Sequence, residues 1–327
     1  MAQEIIVADI GGTHARFAIA KTEQGKVVRL VQKLTLNCAD YSDLKDAWAD
    51  YGTMIQQDMP TDGSIALAAH IGADILEMTN NHWMIKAHHI REELGLDRLR
   101  LINDFGAVGH AVARAEEQHF SHLCGPETSI VDKQTLTVVG PGTGLGVAHV
   151  VKTNGSCHVS STEGSHIAFA PHDEFEDRLL ASLRKNHGRV SVERIVSGPG
   201  LREIYRLVAE TEGGSARRLD DTSLWQLALA GNDRLAMVAF DRFCSCLGSF
   251  AGDMALAHGA DAVAISGGLG SRIAKHVPSS GFAERFVAKG RFSELMEQIP
   301  VWHLNMEEPG LIGSAAAFLQ EYGVRKA

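Results

Sequence analysis

VADIGGTHARFAIA, residues 7–20, runs an apolar strand into an acidic residue, two glycines and a threonine, then resumes as alternating apolar residues. Ile5 and Val7 before the turn and Phe17 and Ile19 after it carry the period of two that predicts a β-hairpin. Gly11 and Gly12 are expected to take positive φ and to let the backbone approach something bulky, with Asp9 and Thr13 at the tip. A hairpin that only turns the chain needs the glycine alone. The acid and the hydroxyl are an excess that points to a ligand.

Working outward, 327 residues exceed what one hydrophobic core normally serves, about 250–300, so two domains with a cleft are expected. Apolar residues at 45% and charged residues at 22% describe a globular chain. Lys and Arg number 31 against 40 Asp and Glu, for a net charge of -9. That balance offers no broad basic surface to nucleic acid or to an anionic membrane, so an anionic ligand has to be held locally, by backbone amides or a metal ion. Cys38, Cys124, Cys157, Cys244 and Cys246 are odd in number and scattered, which reads as reduced thiols and not as a disulfide framework. No basic segment with an apolar stretch opens the chain and no run approaches 18 apolar residues, so a cytoplasmic protein is expected.

Strands and helices alternate downstream, predicting mixed sheets flanked by helices. Leu44, Trp48, Tyr51 and Ile55 recur at helical spacing, and residues 64–79 read as strand, turn, strand. LRLIND, residues 99–104, is a strand that meets a helix at Asp104, a good N-cap position. LTVVGPGTGLGVAHVV, residues 136–151, repeats the layout of the opening hairpin: apolar run, glycine turn with a threonine, apolar run. Helices are predicted over 173–187, 199–211 and 232–258, the last with a broad apolar face of Leu235, Val238, Phe243, Leu247 and Phe250. AVAISGGLGSR, residues 262–272, is strand, glycine turn, helix, and a helix rich in small residues closes the chain.

Three glycine turns, each after a strand, carry more weight than one. Thr13 and Thr143 can donate to phosphate oxygens, beside the glycine amides. Neither turn has the spacing of a P-loop, and the residues after GTGLG continue as a strand, against a dinucleotide fold. Motif order over nearly the whole chain resembles the bacterial glucokinase family, within the hexokinase and actin-like ATPase superfamily. The resemblance implies an α/β, two-domain, actin-like (ribonuclease H-like) fold that phosphorylates glucose at its 6-hydroxyl. It makes Asp9, Gly11, Gly12 and Thr13 the first phosphate loop of ATP, with Asp9 orienting hydrated magnesium. It makes Gly140–Gly146 the second, with Gly142, Thr143 and Gly144 at its tip, and Gly267 and Gly268 the adenosine turn.

For the sugar, the same resemblance assigns Asn103 and Asp104, with Asp104 as the general base that takes the 6-hydroxyl proton. Read on its own, Asp104 is equally a plain helix cap. Glu163 and His166 match a Glu-Gly-Gly-His run and Glu193 a third sugar contact, groups whose unmatched partners would be costly to bury. A metal pair at Glu163 and His166 lacks a further ligand at the right spacing, and the zinc-bearing cysteine cluster of the related repressor and sugar-kinase group is absent. Thr79, Asn80 and Trp83 match the segment before the sugar site, with Trp83 read as core. Three positions depart from the pattern: His70 stands where the family has proline, Ser165 replaces the second glycine of the run, and 269–272 read Leu-Gly-Ser-Arg where the family ends Pro-Arg. If position 165 needs positive φ, serine costs about 1 kcal/mol there and could tilt His166.

The resemblance places a small domain at 1–112 plus 308–327 and a large one at 113–307, joined through the helices that begin near Asp104 and Gly310. Their small residues, Gly106, Ala107, Gly313, Ser314 and Ala315, permit close packing, and closure over the substrates would exclude water. The partners expected are a sugar and a nucleotide, with a homodimer but no nucleic acid and no membrane. The alternatives are a kinase for another hexose and a sugar-binding regulator that has lost turnover.

Overall fold

The computed structural model describes residues 2–78, 81–153 and 155–323, so Thr79 and Asn80 lie outside the described residues. Two compact units emerge: unit 1 takes residues 1–115, 152–161 and 306–327, and unit 2 takes 116–151 and 162–305.

Unit 1 is built on a sheet of order β3-β2-β1-β4-β7. The opening hairpin is β1 (Ala2–Ile10) and β2 (His14–Glu23), antiparallel in the register Asp9 opposite Arg16, and β3 (Lys26–Asn37) extends it. α1 (Leu44–Met54) starts at Asp43, whose carboxylate accepts the Asp46 amide, and it buries Leu44, Ala47, Trp48 and Tyr51. Tyr51 stacks on Phe17 with ring centroids 5.0 Å apart. β4 (Asp62–Leu67) is wholly buried and lies parallel to β1. A short antiparallel pair, β5 (Ile75–Glu77) and β6 (Met84–Lys86), and the one-turn α2 (Ile90–Glu93) follow. β7 (Arg98–Asn103) pairs in parallel with β4 and runs directly into α3 (Asp104–Arg114).

Unit 2 carries the second sheet, of order β11-β10-β9-β12-β13-β8. Its strands are β8 (Phe120–Cys124), β9 (Thr135–Pro141), β10 (Leu145–Thr153), β11 (Ser156–Thr162, nearly all of it in the 152–161 segment assigned to unit 1), β12 (Ala262–Ile265) and β13 (Val301–Leu304). Its helices are α4 (Glu174–His187), α5 (Gly200–Thr211), α6 (Asp221–Ala230), α7 (Arg234–His258), α8 (Gly267–Ile273), α9 (Phe282–Val287) and α10 (Ser293–Met296). α7 is long and apolar enough to cross a bilayer by length and composition alone, yet 67% of its apolar window is buried within the protein. Gly248 and Gly252 let the α9 backbone lie against α7, since a Cβ at either would stand 2.2 and 2.5 Å from the Phe282 and Phe286 carbonyl oxygens. The broad apolar face of α7 is therefore largely core: Phe243, Leu247 and Phe250 are buried, with Leu235 and Val238 packed against the same cluster.

α11 (Pro309–Tyr322) returns to unit 1 and covers its sheet. Alternation on β1 settles which side: Ile6, Ala8 and Ile10 join the α1 cluster, while Ile5 and Val7 join Leu311, Ala315 and Phe318 of α11. α11 also packs on α3 so closely that a Cβ at Gly313 would stand 1.7 Å from the Ala107 carbonyl oxygen. Ser314 and Ser64 exchange hydrogen bonds beside that contact, Oγ to Oγ at 2.8 Å.

Candidate active site

In unit 1 the β1–β2 turn is tied at both ends. The Gly11 amide donates to the His14 carbonyl at 3.0 Å, the Asn81 side-chain amide donates to the Gly11 carbonyl at 3.1 Å, and the Cys38 amide donates to the Thr13 carbonyl at 2.9 Å. Thr13 is exposed at the tip. The expectation of positive φ at Gly11 and Gly12 is wrong: neither is among the positive-φ residues. A Cβ at Gly11 would meet nothing nearer than the His14 carbonyl oxygen at 3.8 Å, so the turn itself does not demand glycine there. A small residue leaves backbone open, which is what an approaching phosphate needs.

Asp9 sits under this turn and against the first turn of α11. Its Oδ2 is 3.4 Å from an Arg16 guanidinium nitrogen, and Arg16 Nε is 3.7 Å from Glu308. Burial pushes the Asp9 carboxyl above its usual range; Arg16 opposes that and Glu308 adds to it. Gly310 is glycine because a Cβ would stand 2.5 Å from Asp9 Oδ2. Sequence reasoning missed this partner. Pro309 at the start of α11 and Glu308 at φ 49°, a left-handed non-glycine residue, are the local signs of it. Among the described residues no group of three or more His, Cys, Asp or Glu could hold a metal. A lone carboxylate beside a phosphate-type turn still fits magnesium, which keeps most of its water and takes other ligands from phosphates.

At the end of β7 the cap is Asn103 and not Asp104, a correction. Asn103 Oδ1 accepts the Phe105 and Gly106 amides at 3.0 and 3.1 Å, and its Nδ2 donates to the Ala69 carbonyl at 3.2 Å. With the cap supplied by its neighbour, Asp104 becomes the first helical residue, half-buried, its Oδ1 accepting the Phe105 amide at 2.8 Å. A negative side chain is stabilising in that first turn.

In unit 2 the β9–β10 turn places Thr143 exposed at its tip, between Gly142 and Gly144. The Gly142 amide donates to the Gly144 carbonyl at 2.8 Å, and the Gly198 amide donates to the Gly142 carbonyl at 2.7 Å. Glu193 stands against this turn: its Oε2 accepts the Leu145 amide at 3.1 Å, and a Cβ at Gly144 would lie 2.6 Å from that oxygen. The residue expected at the sugar thus also braces the phosphate-type loop. Gly267, at φ 83°, needs glycine twice over, for its backbone and because a Cβ would meet the Pro141 carbonyl oxygen at 2.9 Å; Gly268 is open and exposed.

Glu163 and His166 come together on the short turn 164–166, Oε2 to Nε2 at 3.7 Å, both more than half exposed. The segment after it bridges Ala168 to Ser191, next to the turn 192–194 that carries Glu193. Ser165 does not have positive φ and is buried, so the expected strain and tilt of His166 do not arise. The tight position is Gly164, where a Cβ would meet Met254 Sδ at 3.2 Å. His70 is exposed, and Trp83 is core at 1% exposure.

Paired β-hairpins whose glycine turns each carry a threonine and are braced by an acid, on two mixed α/β units, define the class: sugar kinases of the actin-like ATPase fold. A structure of glucokinase from an Antarctic psychrotroph superposes with a TM-score of 0.83 at 34% identity, over 96% of this chain and 98% of that one. Glucokinase from Balamuthia mandrillaris, solved in complex with glucose, shares the fold at a TM-score of 0.80 and 20% identity, over 97% and 93% of the two chains. The family model described as Glucokinase matches residues 6–321, and glucokinase of Zymomonas mobilis is 48% identical over 98% of both chains. The chain belongs to the glucokinase family and is an ATP-dependent hexose kinase.

Proposed function

We propose that this chain transfers the γ-phosphoryl group of ATP to the 6-hydroxyl of D-glucose, with Asp104 as general base. The single observation that carries the proposal is the division of labour at the end of β7: Asn103 caps α3 with its own side chain, accepting both the Phe105 and Gly106 amides, and sets Asp104 as the first helical residue beyond the strand end. Capture of the sugar proton in a loose phosphoryl-transfer transition state asks for a positioned acceptor and little else. Asn103, Glu163, His166 and Glu193 would hold the sugar hydroxyls. In unit 1 the amides at Gly11 and Gly12 and the hydroxyl of Thr13 would hold phosphate oxygens; in unit 2 Gly142, Thr143 and Gly144 would do the same, with Gly267 and Gly268 against the adenosine. Magnesium, held by Asp9 through water, would neutralise charge on the phosphates. A homodimer belongs to this proposal on family likeness alone.

The test is a coupled ADP-release assay with glucose, mannose, fructose and glucosamine. Glucose should give the highest kcat/KM. Asp104→Asn, which keeps size and hydrogen bonding but not basicity, should lower kcat by about 10²–10⁴-fold with KM for glucose little changed. Turnover that survives in Asp104→Asn would remove the base from the scheme, and a faster reaction with another hexose would replace the substrate.

A further inference from the structure

Away from every residue assigned above, unit 2 carries a concentration of arginine at odds with a chain of net charge -9. Arg202, Arg206, Arg217 and Arg218 line one cavity of about 490 Å³, together with Tyr205, Ala216 and Leu219. The first two arginines project from α5, four residues apart and so on one helix face, and the other two come from the segment that leads into α6. No acidic residue lines the cavity.

Counter-charges hold three of the guanidiniums from outside. Arg202 Nε donates to Asp221 at 2.8 Å, Arg206 lies 2.9 Å from Glu203, and Arg217 lies 3.5 Å from Asp233. Arg218 is exposed and has no carboxylate within ion-pair distance among the described residues, so the cluster keeps uncompensated positive charge. Each guanidinium has five N–H donors, and one carboxylate partner leaves several unused. Tyr205 lines the cavity from the core side, 2% exposed.

We infer that this cavity binds a phosphate monoester with a small organic body, at a site separate from the phosphate loops. Planar arginine forks match the oxygens of a phosphate dianion, and Leu219, Ala216 and Tyr205 accept the apolar part. The volume is that of a small-molecule site, and its concave form suits a soluble ester better than a polymer backbone. This inference does not depend on the proposed catalytic roles.

Calorimetric titration of phenyl phosphate into the full chain, with the active site first saturated with ADP and glucose, tests it. One site is expected, weakened at least about 10-fold in an Arg217→Ala, Arg218→Ala double variant and unchanged in Asp104→Asn. Benzyl alcohol, which has the ring without the charge, should not bind. Arg218→Gln, a change at an exposed side chain, should keep its melting temperature and its turnover, so that its weaker binding cannot be put down to misfolding. Equal affinity in the parent and Arg218→Gln, or binding that disappears once ADP and glucose are present, would overturn the inference.

Discussion

The two glycine turns solve one problem with the parts exchanged. In unit 1 the acid is on the hairpin and the glycine on a helix: Asp9 presses on Gly310 of α11. In unit 2 the glycine is on the hairpin and the acid arrives from another segment: Glu193 presses on Gly144. The partners differ too. Asp9 is paired with a guanidinium and lies in a setting that disfavours its charge, whereas Glu193 accepts a backbone amide of the loop it braces. The first arrangement fixes a charged group relative to rigid elements, and the second fixes a loop through a side chain that can rotate. Mutations should therefore be felt more sharply in unit 1.

Acid strength offers the broadest check, because each unit holds a histidine whose pKa burial lowers strongly. His110 of α3 and His258 at the end of α7 both have pKa values lowered to about 4, chiefly by burial, with Arg100 and Arg114 contributing at His110 and His149 at His258. His258 Nδ1 lies 2.8 Å from Thr137 Oγ1, and its ring stacks on that of His149. A base whose folded pKa lies below its unfolded value binds its proton in the unfolded chain first, so stability is full above about pH 6.5 and falls as pH drops towards 4. Each histidine should cost up to about 3 kcal/mol over that window. Urea titrations at pH 7.5 and 4.5 should show the loss, reduced in His110→Gln and in His258→Gln; a flat profile in the parent would mean that both rings ionise freely in the fold.

Gly310→Ala comes next in size. The added Cβ would overlap the Asp9 carboxylate, and neither β1 nor the start of α11 can give way easily, because Leu311 and Val7 are packed between them. Asp9 must rotate out. Displacing a catalytic group by about 1 Å costs on the order of 10²-fold, so kcat/KM should fall by that much, with the magnesium requirement shifted upward. Unchanged kinetics would show that the position of Asp9 is immaterial to turnover.

These contacts also mark the limit of what the sequence shows. The hairpins at 7–20 and 136–151, the long helix and the strand that ends at Asn103 are legible because period and glycine position are local properties. Local pattern alone does not choose between Asn103 and Asp104 as the cap, since either Asn or Asp suits that position. Gly11 and Gly12 show that a glycine in a turn allows positive φ without requiring it. The Asp9–Gly310 and Glu193–Gly144 contacts join residues 301 and 49 positions apart and leave no periodic trace. Only the tertiary fold shows that those glycines are needed for space.

Gly144→Ala should be milder than Gly310→Ala, because the atom in the way is the end of a flexible glutamate. Glu193 can retreat, and the loop loses its brace at Leu145. About a 10-fold fall in kcat/KM for ATP is expected, of the size that one lost hydrogen bond produces. An effect as large as that of Gly310→Ala would erase the difference drawn between the two turns.

Glu193→Gln separates the two duties of this residue. The amide oxygen can still accept from Leu145, so the brace survives, while an acceptor-only carboxylate is replaced by a group that also donates. If Glu193 serves only the loop, both Michaelis constants should stay within about two-fold of the parent. If it also faces a sugar hydroxyl as an acceptor, KM for glucose should rise about 3- to 10-fold while KM for ATP holds, the smallest effect of the series and the most selective. A rise confined to ATP would reverse the assignment, because it would mean that the negative charge itself, and not the hydrogen bond, keeps the second turn in place.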